Sequence, residues 1–192
     1  MKTIRYNTNE EIIVKNSRFI CYLYKVKDIN SVMDILNDIR LEHKDATHCC
    51  YAYVLDNIKK SSDDGEPGGT AGIPILKVLE NNDLTNILAI VVRYFGGIKL
   101  GAGGLVRAYT KSVTNALNID NIVSMIAGYN IDIEFDYSRI KEIDYLLKDM
   151  NINNKEFNDT VKYNIDIPVD FLEVIEVNKI TYSLIKKIYI EK

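Results

Sequence analysis

Ile87-Leu-Ala-Ile-Val-Val-Arg93-Tyr-Phe-Gly96-Gly97-Ile-Lys99-Leu-Gly101-Ala-Gly103-Gly104-Leu-Val-Arg107 is the stretch whose reading decides how this chain folds. Val, Ile and Leu fill both alternations of Ile87–Val92, which marks a central strand covered on both faces. The strand is expected to extend to Phe95. A glycine loop, Gly96 to Gly104, comes next. Leu105 to Leu117 then reads as a helix, with Leu105, Val106, Tyr109, Val113 and Leu117 on its buried side. Arg107 and Lys111, four apart, share another face. Unbonded backbone N–H groups collect where a strand passes through such a loop into a helix, and a helix N-terminus attracts an anion. Arg93, Lys99 and Arg107 add positive charge at the mouth of the loop.

Working outward, nine of the ten glycines lie between Gly65 and Gly104, with Gly128 the exception. Clustering of this kind points to backbone geometry rather than flexibility. Glu11 to Val26 reads as extended, with Phe19, Cys21 and Leu23 alternating against Ile20, Tyr22 and Tyr24. Asp28 to His43 reads as a helix capped by Asp28 or Ser31, with Ile29, Val32, Leu36 and Ile39 on one face. Cys49 to Leu55 is a strand, and Asn57 to Thr70 a polar loop. A helix begins near Pro74, where a missing N–H costs nothing, and runs to about Asn81.

A boundary is expected around Asp120 to Gly128, giving domains 1–122 and 128–192. Beyond it Ile131, Ile133 and Phe135 alternate against Asp132, Glu134 and Asp136. Ser138 is placed to cap a helix carrying Ile140, Ile143, Leu147 and Met150. Strands follow near Ile152–Phe157 and Val161–Ile167. Asp170 with Glu173 has the spacing of a capping box, and a last strand runs near Leu184–Ile190. The fold class is therefore α+β, and the second domain has the β-α-β-β-α-β order of a ferredoxin-like fold.

The chain has 192 residues, 47% of them hydrophobic and 27% charged, which suits a globular protein with a real core. No segment has the length of a membrane span, and Met1–Glu11 lacks a signal-peptide core, so the expected place is the cytoplasm. Net charge is -3, which argues against indiscriminate nucleic-acid binding. The distribution says more: residues 1–120 hold 15 Lys and Arg against 14 Asp and Glu, residues 121–192 hold 9 against 13, and Leu84–Ile119 has four basic residues and no acidic one. A locally positive stretch on a mildly acidic chain suggests a defined anion site.

The known phosphate fingerprints do not fit. Ala102 and Gly103 stand where a Walker loop has Lys and Ser/Thr, and Val106 stands where the last glycine of a dinucleotide fingerprint belongs. The competing account of the loop is a tight turn that needs positive φ angles, with basic side chains facing outward. In Ser61-Ser-Asp63-Asp64-Gly65-Glu66-Pro-Gly-Gly-Thr70-Ala-Gly-Ile-Pro74, three carboxylates sit near a turn. A hard cation needs several converging oxygens; the better reading is a turn-rich loop leading into a helix and lining one groove with the glycine loop. No metal or cofactor is assigned.

Cys21, Cys49 and Cys50 fit no zinc or redox spacing, and they read as reduced core residues. His48 and Cys49 point apart on a strand, so a Cys–His catalyst is not expected. His48 instead binds or packs at a strand end. Tyr51 and Tyr53 share a face, as core, rim or a base-stacking surface.

Lys15-Asn-Ser17-Arg18-Phe19-Ile20, His48-Cys-Cys-Tyr51-Ala-Tyr53, the Asp63–Pro74 motif and Val92–Tyr109 together resemble the YigZ/IMPACT family over roughly residues 1–120. Residues 121–192 resemble that family's bacterial C-terminal domain by element order and length. The resemblance implies an N-terminal domain similar to domain IV of elongation factor G and a C-terminal domain similar to its ferredoxin-like domain V. Eukaryotic relatives regulate translation through an activator of the amino-acid starvation kinase; they carry a different accessory domain, so that partner does not transfer. The expected function is a translation-associated binding or regulatory protein, holding RNA or ribosomal phosphates through Arg93, Lys99, Arg107, Lys15, Ser17, Arg18, His48 and the glycine loop. Asp63, Asp64, Gly65, Glu66 and Thr70 form the opposing wall. Two alternatives are carried. One is a regulator using the groove for a protein partner. The other is an enzyme acting on a small phosphorylated molecule, with Asp63, Asp64 or Glu66 holding Mg²⁺.

Overall fold

The computed structural model describes residues 1–56 and 58–192. Asn57, where the polar loop was expected to begin, lies outside them. The chain divides into two compact units, Met1–Ser124 and Met125–Lys192.

The first unit contains β1 (Lys2–Ile4), β2 (Thr8–Val14), β3 (Ser17–Lys25), α1 (Ile29–Glu42), β4 (His48–Leu55), β5 (Ile58–Ser62), α2 (Gly72–Asn81), β6 (Ile87–Tyr94) and α3 (Ala102–Ala116). Five strands form an antiparallel sheet in the order β2-β3-β6-β4-β5, with β6 central. Successive side chains of a strand leave on opposite faces. Ala89 and Val91 accordingly pack with Phe19, Cys21, Cys50, Ile75 and Tyr109 in one core, and Leu88, Ile90 and Val92 pack with Val32, Leu36, Ile39 and Cys49 in another. α2 and α3 cover the first face and α1 the second. Each fully buried Leu, Ile or Val contributes roughly 1.5–3 kcal/mol, so the two-sided burial of β6 fixes its central place. Arg93 follows Val91 at the same parity and is carried onto the α3 face.

Several elements differ from the sequence reading. Glu11–Val26 is a hairpin rather than one strand: Lys15 (φ 45°) and Asn16 (φ 62°) make a two-residue turn with Val14 opposite Ser17. Both turn residues have positive φ, the conformation of the favoured hairpin turns, and no glycine advertises it. β5 is an edge strand of polar residues, whose Lys59 and Lys60 suit an exposed edge. α3 begins at Ala102, so Gly103 and Gly104 belong to its first turn and not to the loop. Val106 and Ile29 are exposed rather than buried. The α1 cap uses both candidates: Asp28 accepts from the Ser31 N–H, and Ser31 Oγ accepts from the Asp28 N–H.

In the expected boundary region, a 3-10 turn at Ile119–Asn121 leads into β7 (Ile122–Phe135), which runs through Gly128 without a break. Its first residues pair with β1, Ile4 opposite Ile122 and Lys2 opposite Ser124. The short β1, concealed in a polar N-terminus, is what makes those residues a strand.

The second unit continues with α4 (Ile140–Leu146), β8 (Asn151–Phe157), β9 (Val161–Pro168), α5 (Phe171–Val177) and β10 (Thr181–Glu191). Its antiparallel strands lie in the order β8-β9-β7-β10, and the element order is β-α-β-β-α-β. Ile131, Ile133, Phe135, Ile143, Tyr163, Ile165 and Ile175 build its core. Ser138 lies inside a 3-10 turn and does not cap α4. Asp170 is itself helical, so its side chain makes no cap bond. Among the described residues, no helix is long and apolar enough to cross a membrane.

Candidate functional site

The parity that buries Arg93 also assembles the site. On three adjacent strands Phe19, Arg93 and His48 stand opposite one another in register. The Arg93 guanidinium lies 5.4 Å from the Phe19 ring centre and 5.5 Å from that of Phe95. Its side chain is only 6% exposed, and Nη1 donates to Glu66 Oε1 at 2.5 Å. The Tyr109 hydroxyl donates to the same oxygen at 2.8 Å. Arg93 therefore forms the floor of the site, paired, rather than a free charge at its mouth.

Glu66 reaches Arg93 because its loop is clamped. Asp64 (φ 45°) and Gly65 (φ 85°) form a tight turn closed by the Glu66 N–H on the Asp63 carbonyl at 2.9 Å. The Asp63 carboxylate accepts from the N–H groups of Gly69, Ala71 and Gly72 at 2.8, 3.0 and 2.8 Å. Burial alone would raise its pKa, but these three backbone bonds hold the Asp63 carboxyl below its ordinary value. Asp64 accepts from the Cys49 N–H at 2.7 Å and from Arg40 at 3.4 Å. The Thr70 hydroxyl donates to the Pro67 carbonyl. The carboxylates that the enzyme alternative assigns to Mg²⁺ are directed to different partners: Asp63 to backbone amides, Asp64 to Cys49 and Arg40, and Glu66 to Arg93 and Tyr109. Among the described residues, no group of three or more His, Cys, Asp or Glu side chains has the arrangement of a metal site.

His48 Nδ1 lies 2.8 Å from the Asp64 carbonyl oxygen. A carbonyl can only accept, so Nδ1 carries a proton; the neutral form of a ring held this way has its lone pair on Nε2. Nε2 is 3.8 Å from Glu66 Oε2. Cys50 donates its S–H to the Asp63 carbonyl at 2.9 Å, and burial raises its pKa and that of Cys21; burial pushes the Cys49 thiol up to about 11. None of the three has the lowered pKa of a reactive thiol.

The glycine loop completes the site. Phe95 N–H donates to Thr47 Oγ1 at 2.9 Å, and Gly96 N–H donates to Ser17 Oγ at 3.1 Å. A Cβ at Gly96 would stand 2.0 Å from the Asn16 carbonyl carbon, so this glycine lets the hairpin tip lie against the loop. Gly97 (φ 83°) and Gly101 (φ 73°) use the left-handed backbone. The first N–H of α3 to find an internal acceptor is that of Leu105, on Gly101. The amides of Ala102, Gly103 and Gly104 have none, and no side chain caps them. Gly103 faces no packing constraint either: the nearest atom to an added Cβ is Arg107 Nη1 at 3.6 Å.

A pocket of about 350 Å³ opens among these parts, lined by His48, Glu66, Arg93, Phe95, Lys99 and Gly101, with Thr47, Pro67, Leu100, Ala102 and Leu105 completing it. It does not include every expected residue. Lys99 and Arg107 are exposed, and among the described residues neither has a charged partner; Arg107 folds back over Gly103. Lys15 stands at the exposed hairpin tip. Arg18 is bound to Glu11 at 2.8 Å, which neutralises it. Ser17 is buried beneath Gly96. The sequence reading missed the roles of Phe95, Thr47 and Tyr109. For Tyr109 a signal existed, since a tyrosine on a buried helix face needs a partner for its hydroxyl. Tyr53 is core, and Tyr51 packs beside it.

The profile of the Impact N-terminal domain matches residues 15–117. The IMPACT family member YvyE of Bacillus subtilis is 41% identical over 171 residues, which is 83% of this chain and 79% of that protein. The IMPACT family member YigZ of Escherichia coli is 36% identical over 162 residues, 81% of this chain and 79% of its own. A crystal structure of a hypothetical protein superposes with a TM-score of 0.63 at 28% identity, covering 96% of this chain and 97% of that one. The matched residues contain both glycine motifs, the Glu66–Arg93 pair and the open start of α3, and on this evidence the chain belongs to the IMPACT family.

Proposed function

We propose that this protein is a translation-associated binding or regulatory protein that holds RNA or ribosomal phosphates at the N-terminus of α3. One observation carries the reading: a 15-residue helix starts with three amides that have no internal acceptor and no capping side chain, beside exposed Lys99 and Arg107. Helix N-termini carry partial positive charge and N–H groups directed outward, which suits a phosphate. Gly103 supports it, because a glycine inside a helix costs about 0.5–1 kcal/mol relative to alanine. Neither packing nor φ requires that glycine, so a ligand approaching the bare backbone accounts for it. A likeness of the two units to domains IV and V of elongation factor G belongs to the same proposal, as do a ribosomal partner and a cytoplasmic location.

The test is binding of the full chain to labelled single-stranded RNA and to ribosomes across a salt series. The expected log–log slope is about -0.7 per phosphate contact on a single strand. Lys99→Gln and Arg107→Gln should each weaken binding and flatten that slope by about one contact. Slopes unchanged in both variants, or no binding at low salt, would refute the reading. A second reading, an enzyme acting on a small phosphorylated molecule, draws on the open pocket and on His48 Nε2 beside Glu66; turnover of phosphate esters without RNA binding would favour it.

A further inference from the structure

The phosphate reading accounts for the donors of the pocket but leaves its acceptors without a role. Two charged side chains lining the pocket are more than nine-tenths buried, Glu66 at 3% and Arg93 at 6% exposure. Arg93 bonds through Nη1, and its Nε has no partner. Glu66 bonds through Oε1, and its Oε2 makes no hydrogen bond, having only His48 Nε2 at 3.8 Å. His48 has committed its Nδ1 proton to the Asp64 carbonyl. Two acceptors, Glu66 Oε2 and His48 Nε2, thus share a pocket with a helix N-terminus and Lys99.

A bare phosphate satisfies only the donor side of this arrangement, and its oxygens would meet the Glu66 carboxylate. A ligand that completes the pocket therefore carries negative oxygens together with a nearby hydroxyl that can donate. The walls add a third requirement: Leu100, Leu105, Pro67 and the 46%-exposed Phe95 offer apolar surface to a flat or ring-shaped group. Phosphate, donating sugar hydroxyl and base occur together in a ribonucleotide. A deoxyribonucleotide lacks the 2′-hydroxyl, the group by which proteins distinguish RNA from DNA.

We infer that the pocket takes one ribonucleotide unit, with phosphate on the first amides of α3 and Lys99, the ribose 2′-hydroxyl donating in a bifurcated bond shared by Glu66 Oε2 and His48 Nε2, and the base against Phe95. This rests on the phosphate reading above and adds to it a sugar requirement. The unit comes from an RNA strand or from a free nucleotide.

The experiment uses the full chain and four probes: a labelled single-stranded RNA, the DNA of the same sequence, and adenosine 5′-monophosphate and its 2′-deoxy counterpart as competitors. RNA should bind about tenfold tighter than DNA, the change that about 1.4 kcal/mol produces. His48→Ala should erase that preference while leaving the salt slope intact. Phe95→Ala should weaken RNA and DNA by the same factor. Glu66→Gln, followed by thermal melting to confirm folding, should behave as His48→Ala; if it does not fold, His48→Ala decides alone. Competition by the ribonucleotide and not by its deoxy counterpart supports the inference with a free nucleotide as source. Competition by neither, with RNA still preferred over DNA, supports it with the strand as source. Equal binding of RNA and DNA, insensitive to His48→Ala, overturns the sugar requirement while salt-dependent binding keeps the phosphate reading. No binding of any probe at low salt overturns both.

Discussion

Glu66 and Arg93 are 27 residues apart and meet through a single 2.5 Å contact with 3% and 6% of their side chains exposed. Removing one partner of such a pair typically costs about 3–5 kcal/mol, because the other charge is left buried. The pair therefore positions the floor of the pocket, and loss of binding in an Arg93 variant would report on folding as much as on charge. Gly103 separates the two roles. It needs neither positive φ nor space, so Gly103→Ala is expected to raise stability by up to about 1 kcal/mol. A phosphate that approaches the bare backbone at Gly103 would meet the added methyl, so RNA affinity should fall several-fold in the same variant. Thermal melting and an RNA titration on one sample check both signs. Lys99 and Arg107 were legible as candidate cations because their neighbourhood lacks acidic residues. The pairing of Arg93 was not legible, because it depends on strand parity and on where a distant loop delivers Glu66.

Asp63 governs a whole element. By accepting from three N–H groups at the entry to α2 it does from a distance what a capping residue does locally, and it sets the turn that presents Glu66 and the Asp64 carbonyl. Asp63→Asn keeps the shape but loses the charge and one acceptor oxygen, and hydrogen bonds to a charged group contribute about 1.5–3 kcal/mol each. The variant should be destabilised by on the order of 2 kcal/mol in denaturant melts. The pH dependence has a definite sign. The folded pKa of Asp63 is lowered from the ordinary 3.8, so its contribution is complete above that value and is lost as the pH falls through the folded pKa. The gap between acid melts of the wild type and Asp63→Asn should begin to narrow below about pH 4 and close only at still lower pH. The carboxylate-rich loop invites a metal reading in sequence, since nothing local reveals that backbone amides will occupy its oxygens. The start of α3 is similar: glycines look like loop, and only the packing of Leu105, Ala108 and Tyr109 shows that Gly103 and Gly104 are already helical.

The two units share no core: the two clusters of the first are built from residues up to Ile122 and that of the second from Tyr129 onward. A unit with its own core folds as a unit, so residues 1–124 alone, which retain the β1–β7 pairing, should melt cooperatively and keep the RNA affinity of the full chain. Circular dichroism and the same salt series check this; a non-cooperative melt would show that the second unit is needed. The sequence by itself determined the elements whose apolar periodicity is strong: the two-sided β6, α1 with its cap, the alternating β3 and the alternating second half of β7, and the placement of a glycine-rich junction between β6 and α3. These follow from burial, which local pattern records directly. The tertiary structure alone decided the β2–β3 turn, the polar edge strand β5, the unbroken course of β7, and the meeting of His48, Glu66 and Arg93 under α3. Those depend on pairing partners far away along the chain, and hydrogen bonds and ion pairs across such separations leave no periodic trace in the residues that make them.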